Sequence, residues 1–390
     1  MKKKILWLPG WYPNILSPYD GDFIQRHAQA VALFQELTII YVRKDEKAVV
    51  TKNVKTIYNL HGKVREIIVY YHSLKTGISL LDKILSSSRY KRVFKNAVSN
   101  YIEEYGKPQL AHVHVVSKVG QLALWLKRKF QVPFIISEHW TGYLPEAKFG
   151  IKDLNIFQKK SIQRIFDESQ MITVVSDVLG KAISKQFRIN GYKIVANTVN
   201  ISIFYPDFRP TNSPIHFIHV SSLGYQKNIA NIIEAFSIVK QKGYDFRLLI
   251  IGPQKRELRE LVNKKEMEHF VAYENEVPQD KVASCLRESD ALILYSHYET
   301  FGCVVIEANA CGIPAILSDL PVFREFITEN ENGIFVTPGN PVELANTLEN
   351  FILGMYRINK QSIAEKTAER FNYSKVGKEF VAIYENLIHT

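Results

Sequence analysis

The sequence predicts an α/β protein made of two doubly wound parallel-sheet units in tandem. Short β-rich apolar runs alternate with longer amphipathic stretches along all 390 residues, the pattern of parallel strands joined by crossover helices. The alternation restarts after FYPDFRPTNSP (204–214), whose three prolines and polar residues read as a linker. The chain is also too long for one core and suits two domains of ordinary size.

In the first unit the strand candidates are ILWL (5–8), LTIIYV (37–42), IIVYY (67–71), AHVHVV (111–116), FIIS (134–137), MITVV (171–175) and KIVAN (193–197). The opening MKKKILWLPGWYP puts three lysines before an apolar run, but Pro9 ends that run too early for a signal-peptide core. Helical patterns fall between most of the strands. In FIQRHAQAVALF (23–34), for example, Ile24, Ala28, Val31 and Ala32 share one face. The second unit runs through IHFIHV (215–220), FRLLIIG (246–252), HFVAY (269–273), ALILY (291–295), PAILS (314–318) and GIFV (333–336). From about Val342 the pattern is helical, as if crossing back over the first unit. The expected division is 1–205, an acceptor-binding domain; 206–370, a donor-binding domain; and 371–390, a helix packed on the first domain.

With 46% hydrophobic and 23% charged residues the chain reads as soluble and globular. No apolar run approaches the roughly 18 residues needed to span a bilayer. Cys285, Cys303 and Cys311 are odd in number and lack CxxC spacing, which argues against disulfides or a zinc site and for a reducing cytoplasm. The net charge of +11 is uneven: residues 1–206 carry +16 and the remainder −5. A first half this basic suits an anionic partner such as a membrane face or lipid phosphate. SSSRYKRVFKNAVSNYI (86–102) and LWLKRKF (124–130) are the stretches expected to touch it. Nucleic acid is not expected, for no binding motif or basic-aromatic repeat occurs. No GxG occurs anywhere, so a dinucleotide fingerprint is excluded, and no P-loop motif is present.

The stretch SHYETFGCVVIEANACG (296–312) carries the chemistry. It follows a strand at the end where open α/β sheets bind ligands. A helix expected to begin near Gly302 would aim the amides of Phe301, Gly302, Cys303 and Val304 at an anion, worth about 0.3–1 kcal/mol per charge from the dipole. Glu307, one turn further, would lean back toward that ligand. A diphosphate over the amides, ribose hydroxyls at Glu307 and a sugar at Glu299 make a consistent picture. Equally consistent with the residues alone is a Glu307 that caps buried donors.

ETFGCVVIE followed by ANACGIP resembles the E-x7-E signature of the retaining, nucleotide-sugar glycosyltransferases of family 4, which have the GT-B fold. Further motifs are similar in the family's order: GDFIQRH (21–27) to its glycine-bearing loop, IISEHWTGY (135–143) to the stretch with its active-site histidine, and SSLGYQKN (221–228) to its phosphate-binding loop. Val195–Asn197, Asn332–Gly333 and Pro338–Gly339 also match, so the resemblance covers nearly the whole chain. It implies two Rossmann-like domains facing each other across a cleft, with C-terminal helices crossing back. It implies Lys227 at the donor diphosphate, Glu307 at the ribose, Glu299 at the transferred sugar and His139 near the reacting centre. Gly21, Ser222, Thr300, Phe301, Gly302, Cys303 and Val304 complete the donor side, and Asp22, Arg26, Glu138 and Tyr143 the acceptor side. His112 and His114, alternating on a strand, read as packing groups.

The implied reaction moves a sugar from a nucleoside diphosphate sugar to a glycan or lipid-linked hydroxyl, without metal or resident cofactor, in cell-surface polysaccharide synthesis. The implied setting is cytoplasmic, at the inner face of the plasma membrane. A sugar-nucleotide epimerase and a non-catalytic sugar-nucleotide binder are the alternatives. The chain departs from the family at Ser221–Ser222, where most relatives have Gly-Arg, so one phosphate cation is missing. Thr300 replaces a common glycine, Asn197–Asn200 stands for NGVD, and Gly21–Asp22 for a double glycine.

Overall fold

Each apolar run becomes a strand. The computed structural model describes residues 2–73 and 76–388. The first domain holds β1 (Lys4–Pro9), β2 (Glu36–Lys44), β3 (Val54–His61), β4 (Val64–Tyr71), β5 (Leu110–His114), β6 (Phe134–Glu138), β7 (Ile172–Val174) and β8 (Lys193–Ile194). The second holds β9 (Ile215–Val220), β10 (Phe246–Ile251), β11 (Val271–Glu274), β12 (Ala291–Leu294), β13 (Ala315–Ser318) and β14 (Gly333–Val336). The sheets run β3-β4-β2-β1-β5-β6-β7-β8 and β11-β10-β9-β12-β13-β14. All pairings are parallel except β3 with β4.

Parallel strands covered by helices on both faces are continuous apolar runs, which is why they were legible. The one strand not foreseen, β3, is an edge strand with Lys55, Tyr58, Asn59 and Leu60 exposed. An edge needs no buried alternation, so its sequence gives no periodic signal. The run KIVAN shortens to two residues in β8, also at an edge.

The order reverses at β1 and at β9, and loops leaving the carboxyl ends of strands near such switch points form the ligand crevice. The C-terminal helix Tyr373–Ile388 returns to the first domain. Its Val376, Phe380, Ile383 and Tyr384 are buried in one cluster with Trp7, Ile24, Ala28 and Val31. The apolar face foreseen on the helix Asp22–Ala32 is thus covered by the end of the chain. No helix among the described residues is long and apolar enough to cross a membrane.

Candidate active site

After β12 the chain turns through Gly302 into the helix Cys303–Ala310. Gly302 sits at φ 87°, and a Cβ there would lie 2.8 Å from the Phe323 ring, so both conformation and space require glycine. No side chain caps this helix, whereas Asn155, Ser176, Asn340 and Asn359 cap theirs. Its first N–H groups therefore lack side-chain partners at the positive end of the helix dipole.

Glu299 is 5% exposed and fully engaged. Lys227 Nζ lies 2.5 Å from Oε1, Ser296 Oγ donates to Oε1 at 2.9 Å, and Gln226 Nε2 donates to Oε2 at 2.9 Å. Lys227 ends the 3-10 turn Tyr225–Lys227 that follows β9. Below this turn His219 contacts the carbonyl of Ile293 at 2.9 Å and Ser221 Oγ at 2.7 Å. Burial lowers its pKa to about 4, so it is a neutral buttress. With Nδ1 donating to the carbonyl, Nε2 accepts from Ser221.

The facing wall comes from the first domain. His139 is buried, its Nε2 is 3.3 Å from His114 Nδ1, and its own Nδ1 has no partner. Burial, then the neighbouring His27 and His112, holds its pKa well below the ordinary value. Thr300 Oγ1 donates to the His139 carbonyl at 3.3 Å, joining the two walls. Between them lies a cavity of about 390 Å³, lined by Trp11, Asp22, Phe23 and His139 on one side and by Ser222, Lys227 and Glu299–Val304 on the other. The structure thus brings together Asp22, His139, Ser222, Lys227, Glu299, Thr300, Phe301, Gly302, Cys303 and Val304. Burial pushes the Cys303 thiol up to about 12, so it is not a nucleophile.

Other expected residues sit elsewhere. Glu307 does lean back from the second turn, but its Oε1 is held at 2.5 Å by Arg26 Nη1, from the opposite domain. Arg26 Nη2 meets Asp22 at 3.1 Å, and Asp22 accepts from Gln279 Nε2 at 3.2 Å. Arg26 is 3% exposed; Asp22 and Glu307 keep its charge despite the burial. Burial raises the Glu307 pKa, with Arg26 opposing. Arg26, expected on the acceptor side, is thus paired with Glu307 of the other domain. Glu138 is fully buried, accepting from Val116 N at 2.7 Å and the Tyr143 hydroxyl at 3.1 Å. Burial lifts it to about 7. It braces the loop after β5 and does not face the cleft. Tyr143 lines a second interdomain cavity of about 670 Å³ that also reaches Glu299. Gly21 shapes the turn before the helix Asp22–Ala32, at φ 70° with Trp11 backbone 2.6 Å from where a Cβ would stand, and lines neither cavity.

Sequence reading missed Gln226 and Ser296, which immobilise Glu299; their only signal is adjacency to the motifs. It also missed Glu325, which accepts from the amides of Asp177 at 2.9 Å and Val178 at 3.0 Å, capping the first-domain helix Asp177–Ser184 from the second domain. Among the described residues no three His, Cys, Asp or Glu side chains gather as a metal site.

Residues 206–370 match the family model of glycosyl transferases group 1. Over 235 residues the chain is 24% identical to N-acetyl-alpha-D-glucosaminyl L-malate synthase of Bacillus anthracis, covering 57% of this chain and 61% of that protein. The fold is similar to that of sucrose-phosphate synthase from Thermosynechococcus elongatus, with a TM-score of 0.78 and 16% identity over 100% of both chains. It is also similar to HepE of Anabaena in complex with UDP, with a TM-score of 0.71 and 14% identity over 99% of this chain and 100% of that one. Two facing doubly wound sheets with a returning C-terminal helix are the GT-B arrangement, and it is the second domain that matches the glycosyl transferases group 1.

Proposed function

We propose that the protein is a retaining glycosyltransferase that moves a hexose-type sugar from a nucleoside diphosphate sugar to a hydroxyl of a glycan or lipid-linked acceptor, in cell-surface polysaccharide synthesis on the cytoplasmic side of the membrane. The observation that carries this reading is the convergence of Lys227, Glu299 and the uncapped start of the helix Cys303–Ala310 on one cavity, faced by His139 from the other domain. HepE, whose fold is similar, is described in complex with UDP and with UDP-glucose, which makes a uridine nucleotide the first donor to try.

The chemical demand is to stabilise charge growing on the leaving diphosphate. Lys227 and the amides of Cys303 and Val304 supply a preorganised field for it. The acceptor proton passes to the leaving phosphate oxygen, so neither glutamate acts as an acid and the pair is not a glycosidase pair. The reaction in this reading uses no metal. Glu299 accepts sugar hydroxyls, and the unpartnered Nδ1 of His139 takes a further hydroxyl. Ribose hydroxyls displace Arg26 from Glu307, so donor binding exchanges an interdomain ion pair for a bound nucleotide. The closed cleft then excludes water from the activated sugar.

A thermal-shift screen of UDP-, GDP- and ADP-sugars identifies the donor, since a ligand that binds only the folded state raises the melting temperature. The Glu307→Ala variant is expected to keep its circular dichroism and lose most of its turnover. Full turnover in that variant overturns the ribose assignment. Donor binding with no transfer to any acceptor would instead indicate a sugar-nucleotide sensor.

A further inference from the structure

The helix Ser79–Tyr105 is 27 residues long, yet the residues it buries, Val93, Phe94, Val98 and Tyr101, all lie in its second half. Its first two turns carry Leu80, Leu81, Ile84 and Leu85, exposed by 70, 40, 58 and 44%, with Ile78 just before them at 62%. At 3.6 residues per turn, Leu81 and Leu85 point away from Phe94 and Tyr101, and Ile84 flanks them at the side of the helix. Lys91 and Arg92 continue that outer side two turns later; both are exposed and, among the described residues, make no ion pair. An apolar cluster of this kind, rimmed by polar groups, marks an interaction surface.

The inner side of the same turns is also informative. It roofs a cavity of about 900 Å³ over the ends of β2 and β4, whose charged lining is Arg43, Lys44, Lys83 and Lys118 against Glu46 and Asp82. Lys44 lies 3.6 Å from Glu46, and Asp82 accepts from the amide and hydroxyl of Thr76 at 2.6 and 2.7 Å. Lys83 and Lys118 are left without an acidic partner among the described residues. The stretch 124–130 does not share this design: Leu124 and Leu126 are buried, Lys127 pairs with Glu168 at 2.7 Å and Lys129 lies over Trp125.

We propose that the first two turns of this helix dock the protein on an anionic lipid bilayer. Leu81, Ile84 and Leu85 enter the acyl boundary, Lys91 and Arg92 lie at the headgroups, and the cavity beneath the helix admits a phosphate-bearing headgroup. Charge complementarity selects the bilayer over a second copy of the chain, because pairing two such faces would set Lys91 and Arg92 against their own counterparts. The inference deepens the lipid-linked branch of the proposed acceptor and rests on that reading for its purpose, though not for its physics.

The test is flotation of the full-length protein with phosphatidylcholine vesicles, with and without phosphatidylglycerol, at low and high salt. The wild type is expected to float only with the anionic vesicles, and L81D/I84D/L85D to lose roughly tenfold or more of that partition at an unchanged melting temperature. K91E/R92E is expected to lose partition chiefly at low salt, where the charge term is unscreened. Equal partition of wild type and L81D/I84D/L85D overturns the proposal. So does a wild type that ignores anionic vesicles, or one that self-associates without lipid through this face. Turnover of a soluble sugar nucleotide, measured in parallel, separates the two readings. Lipid-dependent flotation without turnover removes the transferase and keeps the docking surface, and turnover without flotation does the reverse.

Discussion

The two domains share one architecture and differ in what they bury. The first packs four histidines, His27, His112, His114 and His139, into its interior beside Trp7 and the returning Phe380. The second buries His219 and lines the cleft with an ionised pair, Lys227 and Glu299. Apart from Asp22, the first-domain wall of the smaller cavity is aromatic or neutral. The cation that lines the smaller cavity thus comes from the second domain, while the buried Arg26 of the first is spent on its ion pairs with Asp22 and Glu307. One fold carries two electrostatic designs because the side chains it holds, on β5 and β9 as well as in the loops at strand ends, set the chemistry while the architecture is shared.

Acidification tests that contrast most severely. Burial lowers the pKa of His27 to about 4 and holds His112, His114 and His139 well below their ordinary value. For a group whose folded value is depressed below about 6.5, the unfolded chain takes up the proton first, so stability is complete above that pH and falls as pH drops. His27 alone corresponds to about 3 kcal/mol by pH 4, at about 1.4 kcal/mol per unit. Glu138, raised to about 7, has the opposite sign: its contribution is present below about 4.5 and is lost as pH rises through 7. It offsets one histidine of four. Calorimetry between pH 7 and 5 is expected to move the first domain's transition down further than the second's. Transitions that shift together would break the contrast.

Arg26 joins the designs, and its removal comes next in size. In Arg26→Ala, Glu307 and Asp22 lose their counter-ion, a cost of about 3–5 kcal/mol for buried charge. The unliganded variant is therefore expected to open its cleft, with a lower melting temperature and a larger radius of gyration by small-angle scattering. Identical scattering and melting would show that this pair does not hold the domains.

Lys227→Ala is expected to lower kcat about 10²–10³-fold, the scale for one oxyanion-stabilising donor, and to leave melting nearly unchanged. Wild-type kcat would move the diphosphate site elsewhere. The smallest effect belongs to the second cross-domain link. Glu325→Ala removes the cross-domain cap of the helix Asp177–Ser184, leaves the Ser176 cap in place, and is expected to cost about 1 kcal/mol, read as a small drop in melting temperature with donor affinity intact. A drop as large as that of Arg26→Ala would mean that this cap, and not the ion pair, is the main tie.

The donor half of the site was legible for a local reason. Glu299, Gly302 and Glu307 lie within nine residues, and helix geometry leans Glu307 back toward the start of its helix, where the structure pairs it with Arg26 and leaves it outside the cavity that Glu299 lines. The acceptor half was less so. Glu138 ends β6 next to His139, yet alternation on a strand turns neighbours to opposite sides, and Glu138 faces inward to Val116 and Tyr143. His112 and His114 were readable as two residues on one face, but not as members of a stack with His139 and Tyr384.

By itself the sequence determined the two parallel sheets, the turn at Gly302 and the orientation of Glu307 along its helix, since each follows from periodicity or backbone sterics over a few residues. Tertiary structure alone decided that Arg26, 281 positions away, holds that carboxylate. It also decided that four histidines share one interior and that the apolar start of the helix Ser79–Tyr105 is left exposed among the described residues. Those outcomes depend on which distant surfaces meet, and neither burial nor ion pairing leaves a periodic trace in the chain.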